Sequence, residues 1–400
     1  MVKKCLEGLR VLELSHFIAA PFAGQMLADF GADVIKIELP GEGKGDIARK
    51  YDPMYKDMSL YFSSYNRNKR FLTLNLKSPE GQEIFMELVR KSDVVLDNFR
   101  PGVMEKMNLG YERLREVNPG IISASLSGFG KTGPNVHRQA LDMTIQAMSG
   151  FMDITGFEDG PPTKGGPAIS DFIAGLNLTI GVLAAYAYRQ RTGEGQAIDI
   201  ALFDAMFVLM ENYPAIYRMN GQVPKRSGNG RPFSAPVGTY QASDGAWVQI
   251  SGTAEGHFAK LAGLIGHPEY VGQDGMVGAE VRKKRSEKRL NRDIEEWVAA
   301  HTGREAVEEL DREGIPNALV QTAEEVFNDP QISAREMLIC PRENMLDDIP
   351  VIGNPIKMSE TPAEYRRSAC TAGFDSADVL QEFFSYTPEQ IESLKEKGII

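Results

Sequence analysis

Apolar and polar positions alternate or run together in five stretches of the chain, as they do in buried strands. "LRVLELS" (9–15) and "DVIKIE" (33–38) come first. "VVLDNF" (94–99), "GIISASLSGFG" (120–130) and the opening of "AIDIALFDAMFVLMENYPAIYRMNG" (from residue 197) follow. Helical spacing fills the intervals. "APFAGQMLADFGA" carries Pro21 at its first helical position and Gly31 at its end. "SPEGQEIFMELVRKSD" (78–93) has Ser78 as cap and Pro79 in its first turn. "GVMEKMNLGYERLREVNP" predicts a pair of short helices. Strands and helices in this rhythm predict right-handed βαβ units and a mainly parallel α/β sheet. Such a sheet binds ligands at the carboxyl ends of its strands.

"SDFIAGLNLTIGVLAAYAYRQRTGEGQ" (170–196) predicts one long helix rich in small residues, stopped by the turn at 192–195. "VPKRSGNGRPFSAPVG" (223–238) reads as a crossing between domains, and "TYQASDGAWVQIS" (239–251) as a hairpin turning at Asp244-Gly245. Helical segments run to about 330, loops follow, and the chain closes on a polar helix, "TPEQIESLKEKG". Four hundred residues exceed what one core usually serves. The expected division is a large Rossmann-like domain from 1–222 and 328–400 and a smaller α+β domain from 223–327.

Charge and composition narrow the function. A formal net charge of −11 argues against nucleic acid as a partner. Local basic patches, "NRNKR" (66–70), Lys77 and "FRPGVMEK" (99–106), leave room for a small anionic ligand. Cys5, Cys340 and Cys370 are odd in number and far apart, so neither a disulfide framework nor a CxxC pair exists, and a cytoplasmic location is expected. The five histidines show no HxH or HExxH spacing, which disfavours zinc. No apolar run reaches the ~18 residues of a membrane span, and the opening "MVKKCLEGLRVLEL" turns acidic too soon for a signal peptide.

Candidate chemistry concentrates in "SGFGKTGPNVHRQALDMTIQAMSG" (127–150). Gly128, Gly130 and Gly133 have the spacing of a dinucleotide-binding loop. Pro134 and a polar stretch follow where a helix should begin, and no acidic residue lies ~20 positions on to hold a ribose. A strand-end loop needing positive φ explains the glycines better. Asp142 stands between apolar residues ahead of a small-residue helix. It reads first as an N-cap; a nucleophile shares that local geometry, because a helix N-terminus stabilises the carboxylate in either role.

Taken in order, these segments resemble the family III CoA-transferases of the CaiB/BaiF type, which include formyl-CoA, acetyl-CoA:oxalate and carnitine CoA-transferases. The resemblance rests on "GLRVLELSHFIAAPFAGQMLADFGADVIKIE", "NRNKRFLTLNLKSPEG", "DNFRPGVMEKMNLGYE", "LSGFGKTGP", "LDMTIQAMSG", "SDFIAGLN", "RTGEGQAIDIALFDA" and "GNPIKMSE". It implies a transferase with no tightly bound cofactor, acyl-CoA and a free carboxylic acid as substrates, and an interlocked homodimer. Asp142 is then the covalent nucleophile of a ping-pong reaction. The CoA site is implied along His16, Phe17, Ile18 and Ala19, with Leu74, Asn75, Lys77, Asn98, Phe99 and Lys106. Leu39 replaces the arginine that formyl-CoA transferase uses for CoA, and "SGTAEGHF" (251–258) stands where that enzyme has a glycine-rich loop. An α-methylacyl-CoA racemase of the same fold is one alternative. It has a histidine where this chain has Leu141, although Asp171 and Glu255 match its other acidic positions. A non-catalytic acyl-CoA binding protein is the other. The implied acyl group is a short or medium carboxylic acid, dicarboxylates among them.

Overall fold

Residues 4–41 and 43–400 are described by a computed structural model. Six strands form one parallel sheet: β1 (Arg10–Leu14), β2 (Asp33–Glu38), β3 (Arg70–Thr73), β4 (Val94–Asp97), β5 (Ile122–Ser127) and β6 (Ala197–Ala201). Their spatial order is β3-β2-β1-β4-β5-β6, that of a doubly wound nucleotide-binding sheet. Leu12 of β1 lies between Ile35 of β2 and Val95 of β4. All four residues of β4 are buried, as expected where helices cover both faces of a parallel sheet.

The sequence reading missed β3. The strand is only four residues long and begins on the last residue of "NRNKR", which looks like a solvated charge run. That run is a correction too: Asn66, Arg67, Asn68 and Lys69 are buried. Arg67 is forked onto Asp29, and Lys69 pairs with Glu13. These cations are consumed inside the protein and offer no surface to an anion. The edge of β3 is closed by the chain's tail. Asp375 accepts from Phe71 N at 2.8 Å, and Ser376 Oγ from Thr73 N at 3.1 Å. Ser376 opens a helix (Ser376–Phe384) where only loop was expected. Covering an edge in this way removes a site of strand-to-strand association.

Helix α1 (Ala19–Asp29) begins two residues before Pro21, so that proline is third rather than first. Helix α2 (Pro79–Arg90) is capped as predicted, with Ser78 Oγ accepting from Gly81 N at 3.0 Å. Helix α3 spans Asp142–Met148. Helix α4 (Ile169–Thr192) stops at Gly193 with φ +79°, the left-handed C-terminal geometry that glycine adopts without strain. By length and composition α4 could cross a membrane, contrary to the sequence reading. Here it packs against α1, β5 and β6.

Gly175 makes the α1–α4 approach possible, since a Cβ there would lie 2.5 Å from the Ala19 carbonyl oxygen. Backbone cannot swing aside as a side chain can. Gly175→Val is therefore expected to lower stability by about 1–3 kcal/mol, read as a lower urea midpoint at unchanged m-value.

The chain divides into two compact units. One comprises 1–149, 166–209 and 330–400; the other comprises 150–165 and 210–329. The sequence reading placed the change-over at 222/223 and did not anticipate that 150–165 joins the second unit. That unit contains an antiparallel sheet of β7 (Val237–Gln241), β8 (Trp247–Ser251) and β9 (Asn317–Leu319), ordered β9-β8-β7. The β7–β8 hairpin turns with Gly245 at φ +86°. Val248, Ile250, Leu261, Ile294 and Leu310 form its core with helices.

Candidate active site

Strands β1 and β4 are neighbours in the sheet, and the strand order reverses between them, so the loops leaving their carboxyl ends part and open a crevice. A cavity of roughly 630 Å³ occupies this position. Phe17, Ile18 and Ala19 line it from the β1 side, Asn98 to Pro101 from the β4 side, and Ser127 and Gly128 from β5. Asn98 stitches the first two loops together: its Oδ1 accepts from His16 N at 2.9 Å, and its Nδ2 donates to His16 O at 2.7 Å. Asp97 below it accepts from Phe99 N and Ser125 Oγ, and burial pushes its carboxyl up to about 6.

Phe17 has φ +64°, an uncommon conformation for a side chain of that size. Asp46 holds it there, with Oδ1 accepting from Phe17 N at 3.2 Å. Burial alone would raise Asp46, but Lys36 and His16 outweigh it and hold the carboxyl below the usual range. Lys36 Nζ lies 3.1 Å from Asp46 Oδ2, 3.1 Å from Glu13 Oε1 and 2.6 Å from Ser15 O. Lys69 Nζ reaches the other Glu13 oxygen at 2.8 Å and donates to Pro21 O and Asn66 Oδ1. Burial pulls Lys69 down to about 8. Gly24 leaves room for the glutamate, since a Cβ there would meet Glu13 Oε2 at 1.9 Å. A buried ionic cluster thus fixes the loop that forms one wall of the cavity.

Two carboxylates face the cavity, Asp142 and Asp171. Asp142 is the first residue of α3, not its cap; Leu141 takes that place. Its Oδ1 accepts from Ser170 N at 2.9 Å and Ser170 Oγ at 2.8 Å, and its Oδ2 from Gln146 Nε2 at 2.7 Å. The residue preceding α4, Ala168, offers no side-chain cap. Asp142 therefore satisfies an orphan N–H of α4 from a different helix. Asp171 lies one residue beyond Ser170. No hydrogen bond or ion pair reaches its carboxylate among the described residues. Burial, and then the charge of Asp142, push it up to about 7. Tyr61 lines the cavity with it, packed between Tyr51 and Tyr65 at ring distances of 5.3 and 5.7 Å.

The glycine loop behaves as a strand-end loop. Gly130 and Gly133 have φ +76° and +90°, and no helix begins before Asp142. The described residues contain no cluster of histidine, cysteine and carboxylate side chains suited to a metal.

The sequence matches CoA-transferase family III over residues 6–376. The chain belongs to that family. It is 36% identical over 396 residues to the succinyl-CoA–D-citramalate CoA-transferase of Chloroflexus aurantiacus, covering 99% of this chain and 98% of that one. It is 40% identical over 367 residues to the succinyl-CoA:mesaconate CoA-transferase of Haloarcula marismortui, covering 89% and 90%. The acetyl-CoA:oxalate CoA-transferase of Acetobacter aceti is 40% identical over 361 residues, with 88% and 89% covered. The crystal structure of a CaiB/BaiF family protein from Brucella suis superimposes with a TM-score of 0.83 at 36% identity, covering 95% of this chain and 99% of that one.

Against the CoA contacts that the family implied, the fold separates the ten positions. Phe17, Ile18, Ala19, Asn98 and Phe99 line the cavity with Asp142. His16 stacks obliquely on Phe99 at 5.8 Å behind them. Leu74 is 1% exposed in the core, so its side chain cannot meet a ligand. Asn75 is half-buried and tied to the chain's end, its N–H donating to Ile399 O at 2.7 Å. Lys77 and Lys106 are exposed and lie outside the cavity lining. Ser170, Gln146, Tyr51, Tyr61 and Arg138 were not singled out from sequence. Only Ser170 carried a signal, as the neighbour of Asp171 in "SDF". Glu255, in the second unit, is paired at 2.7 Å with the fully buried Arg282.

Proposed function

We propose that this CoA-transferase exchanges CoA between two short dicarboxylic acids through a covalent intermediate on Asp171. One observation carries the choice of residue. The Asp171 carboxylate is desolvated and free of hydrogen bonds, whereas both oxygens of Asp142 are engaged. A carboxylate that need not shed hydrogen bonds is the better nucleophile, and its raised pKa reflects the same lack of stabilisation. The family resemblance alone pointed to Asp142, and the geometry favours its neighbour. Asp142 then serves as the positioning group that anchors the start of α4.

The chemistry balances without any proton transfer. An Asp171 oxygen attacks the thioester carbonyl carbon, the C–S bond breaks, and a mixed anhydride and CoA thiolate result. The thiolate attacks the aspartyl carbonyl carbon, forming an aspartyl-CoA thioester and releasing the donor acid as carboxylate. The acceptor carboxylate attacks that thioester, expelling thiolate and forming a second anhydride. Thiolate attack on the acceptor's acyl carbon yields the new acyl-CoA and restores the Asp171 carboxylate. Splitting one exchange into four acyl transfers retains the thioester free energy that hydrolysis would dissipate.

Phe17 to Ala19, Asn98 and Phe99 are the proposed contacts at the reacting end of CoA, with exposed Lys77 and Lys106 available to its phosphates. Dicarboxylic substrates are suggested by the names of relatives that handle succinyl, mesaconate and citramalate groups. A homodimer is supported by apolar side chains left exposed on the first unit, including Ile180 on α4 and Val208 beyond β6. Three free cysteines suit a cytoplasmic setting. The racemase alternative lacks its histidine at Leu141 and finds Glu255 engaged by Arg282.

The test is chemical trapping. Protein incubated with succinyl-CoA, freed of excess nucleotide and treated with hydroxylamine is expected to carry a hydroxamate at Asp171, located by peptide mass spectrometry. A hydroxamate at Asp142, or none, would overturn the assignment.

A further inference from the structure

We propose that Arg138 selects dicarboxylic acids by binding the carboxylate that does not react. The inference rests on the transferase reading above and deepens it. Four charged side chains line the cavity: Asp142, Asp171, Arg100 and Arg138. Asp142 keeps the reacting end negative throughout, and Asp171 adds its own charge whenever it is not acylated. An acid entering to attack, or leaving after release, is itself negative and is repelled there. A dicarboxylic acid brings twice that charge, and a cavity that accepts one needs a fixed cation near the second carboxylate.

Arg138 meets this need. It lies four residues before Asp142 on the loop between β5 and α3, so it is carried by the segment that positions the aspartate. A backbone bond from Arg138 N to Asn135 O at 2.8 Å fixes the loop at that residue. Arg138 is exposed, lines the cavity and forms no ion pair with any acid among the described residues. By contrast, Arg10, Arg49, Arg67 and Arg70 are each already paired with a carboxylate. A planar guanidinium with two parallel N–H donors matches one carboxylate in bidentate fashion. Arg100 is the cavity's other cation, but it follows Asn98 and Phe99 on the β4 loop, on the side proposed for CoA. The assignment makes Arg138 a specificity residue: it distinguishes acids by their second charge and does not touch the atoms that exchange.

Steady-state exchange from acetyl-CoA to succinate and to butyrate tests this, because the two acids share a four-carbon skeleton and differ in one carboxylate. In Arg138→Gln the KM for succinate is expected to rise roughly ten- to a hundredfold, the range of one charge-assisted contact. The KM for butyrate and for acetyl-CoA should stay within about threefold, and Arg138→Lys should recover part of the succinate preference. Equal losses on both acids, or an unchanged succinate KM, would overturn the proposal. So would Arg100→Gln if it abolished the preference in place of Arg138→Gln. Failure of the transferase reading shows separately, as a wild-type protein that moves CoA to neither acid; that result overturns both.

Discussion

Asp171→Ala is expected to abolish CoA exchange, with a fall on the order of 10⁴ or more in kcat/KM, as for loss of a covalent nucleophile. Acyl-CoA binding should persist, because the lining at Phe17 to Ala19 and at Asn98 and Phe99 is untouched. Asp142→Asn should cost less, since an amide oxygen can still accept from Ser170. Two pH effects accompany the raised pKa. Only the ionised carboxylate attacks, so kcat/KM should climb with pH through about 7 and level off above it. Stability should run the opposite way. Between the ordinary value of 3.8 and about 7 the folded protein holds a proton that the unfolded chain has released, so folding weakens as pH rises through that window. Asp171→Asn removes the penalty. Its urea midpoint should exceed that of the wild type at pH 8, and the two should converge below about pH 4. An inactive variant that was also less stable at pH 8 would mean the carboxylate is a structural group.

Glu13→Gln is the second large effect, this time on folding. Glu13, Lys36 and Lys69 are all wholly buried. Lys36 keeps Asp46 as a partner after the substitution, but Lys69 keeps only the neutral oxygens of Pro21 and Asn66. Removing one member of a buried ion cluster strands a charge and costs about 3–5 kcal/mol. The exposed Arg113–Glu116 pair is a fair contrast: breaking it should cost less than about 0.5 kcal/mol. Urea unfolding of both variants checks the difference. Because Lys36 also donates to Ser15 O, directly ahead of the cavity loop, Glu13→Gln should loosen acyl-CoA binding as well. A Glu13→Gln protein as stable as the wild type would show that the cluster is dispensable.

Periodicity served well where a segment's neighbours agree with its local pattern. β1, β2, β4 and β5, helix α2 with its Ser78 cap, and the hairpin at Gly245 all lie where spacing and turn chemistry place them. It failed where long-range partners decide. β3 is recognisable as a strand only because β2 and the tail flank it, and the charges before it make sense only once Asp29 and Glu13 are seen opposite. The same limit bears on the proposed nucleophile. In sequence, Asp142 is the conspicuous acid, alone among apolar neighbours, while Asp171 looks like an ordinary first-turn helix residue. Only the fold brings Ser170 and Gln146 onto one carboxylate and leaves the other bare. Arg138 was unremarkable for a similar reason, since a loop arginine acquires meaning from the cavity that it faces.

The first unit closes only with help from the last seventy or so residues of the chain. Asn354 donates to Asp29, Arg67 to Ile352 O, and Asp375 accepts from Phe71. On the ribosome, synthesis from the amino end exposes a half-built sheet with unmet buried charges while the whole stretch 210–329 is still being made. That stretch emerges almost contiguously and has a core of its own. The second unit therefore has all of its residues before the first does, and the sheet must wait for the end of translation to gain its last partners.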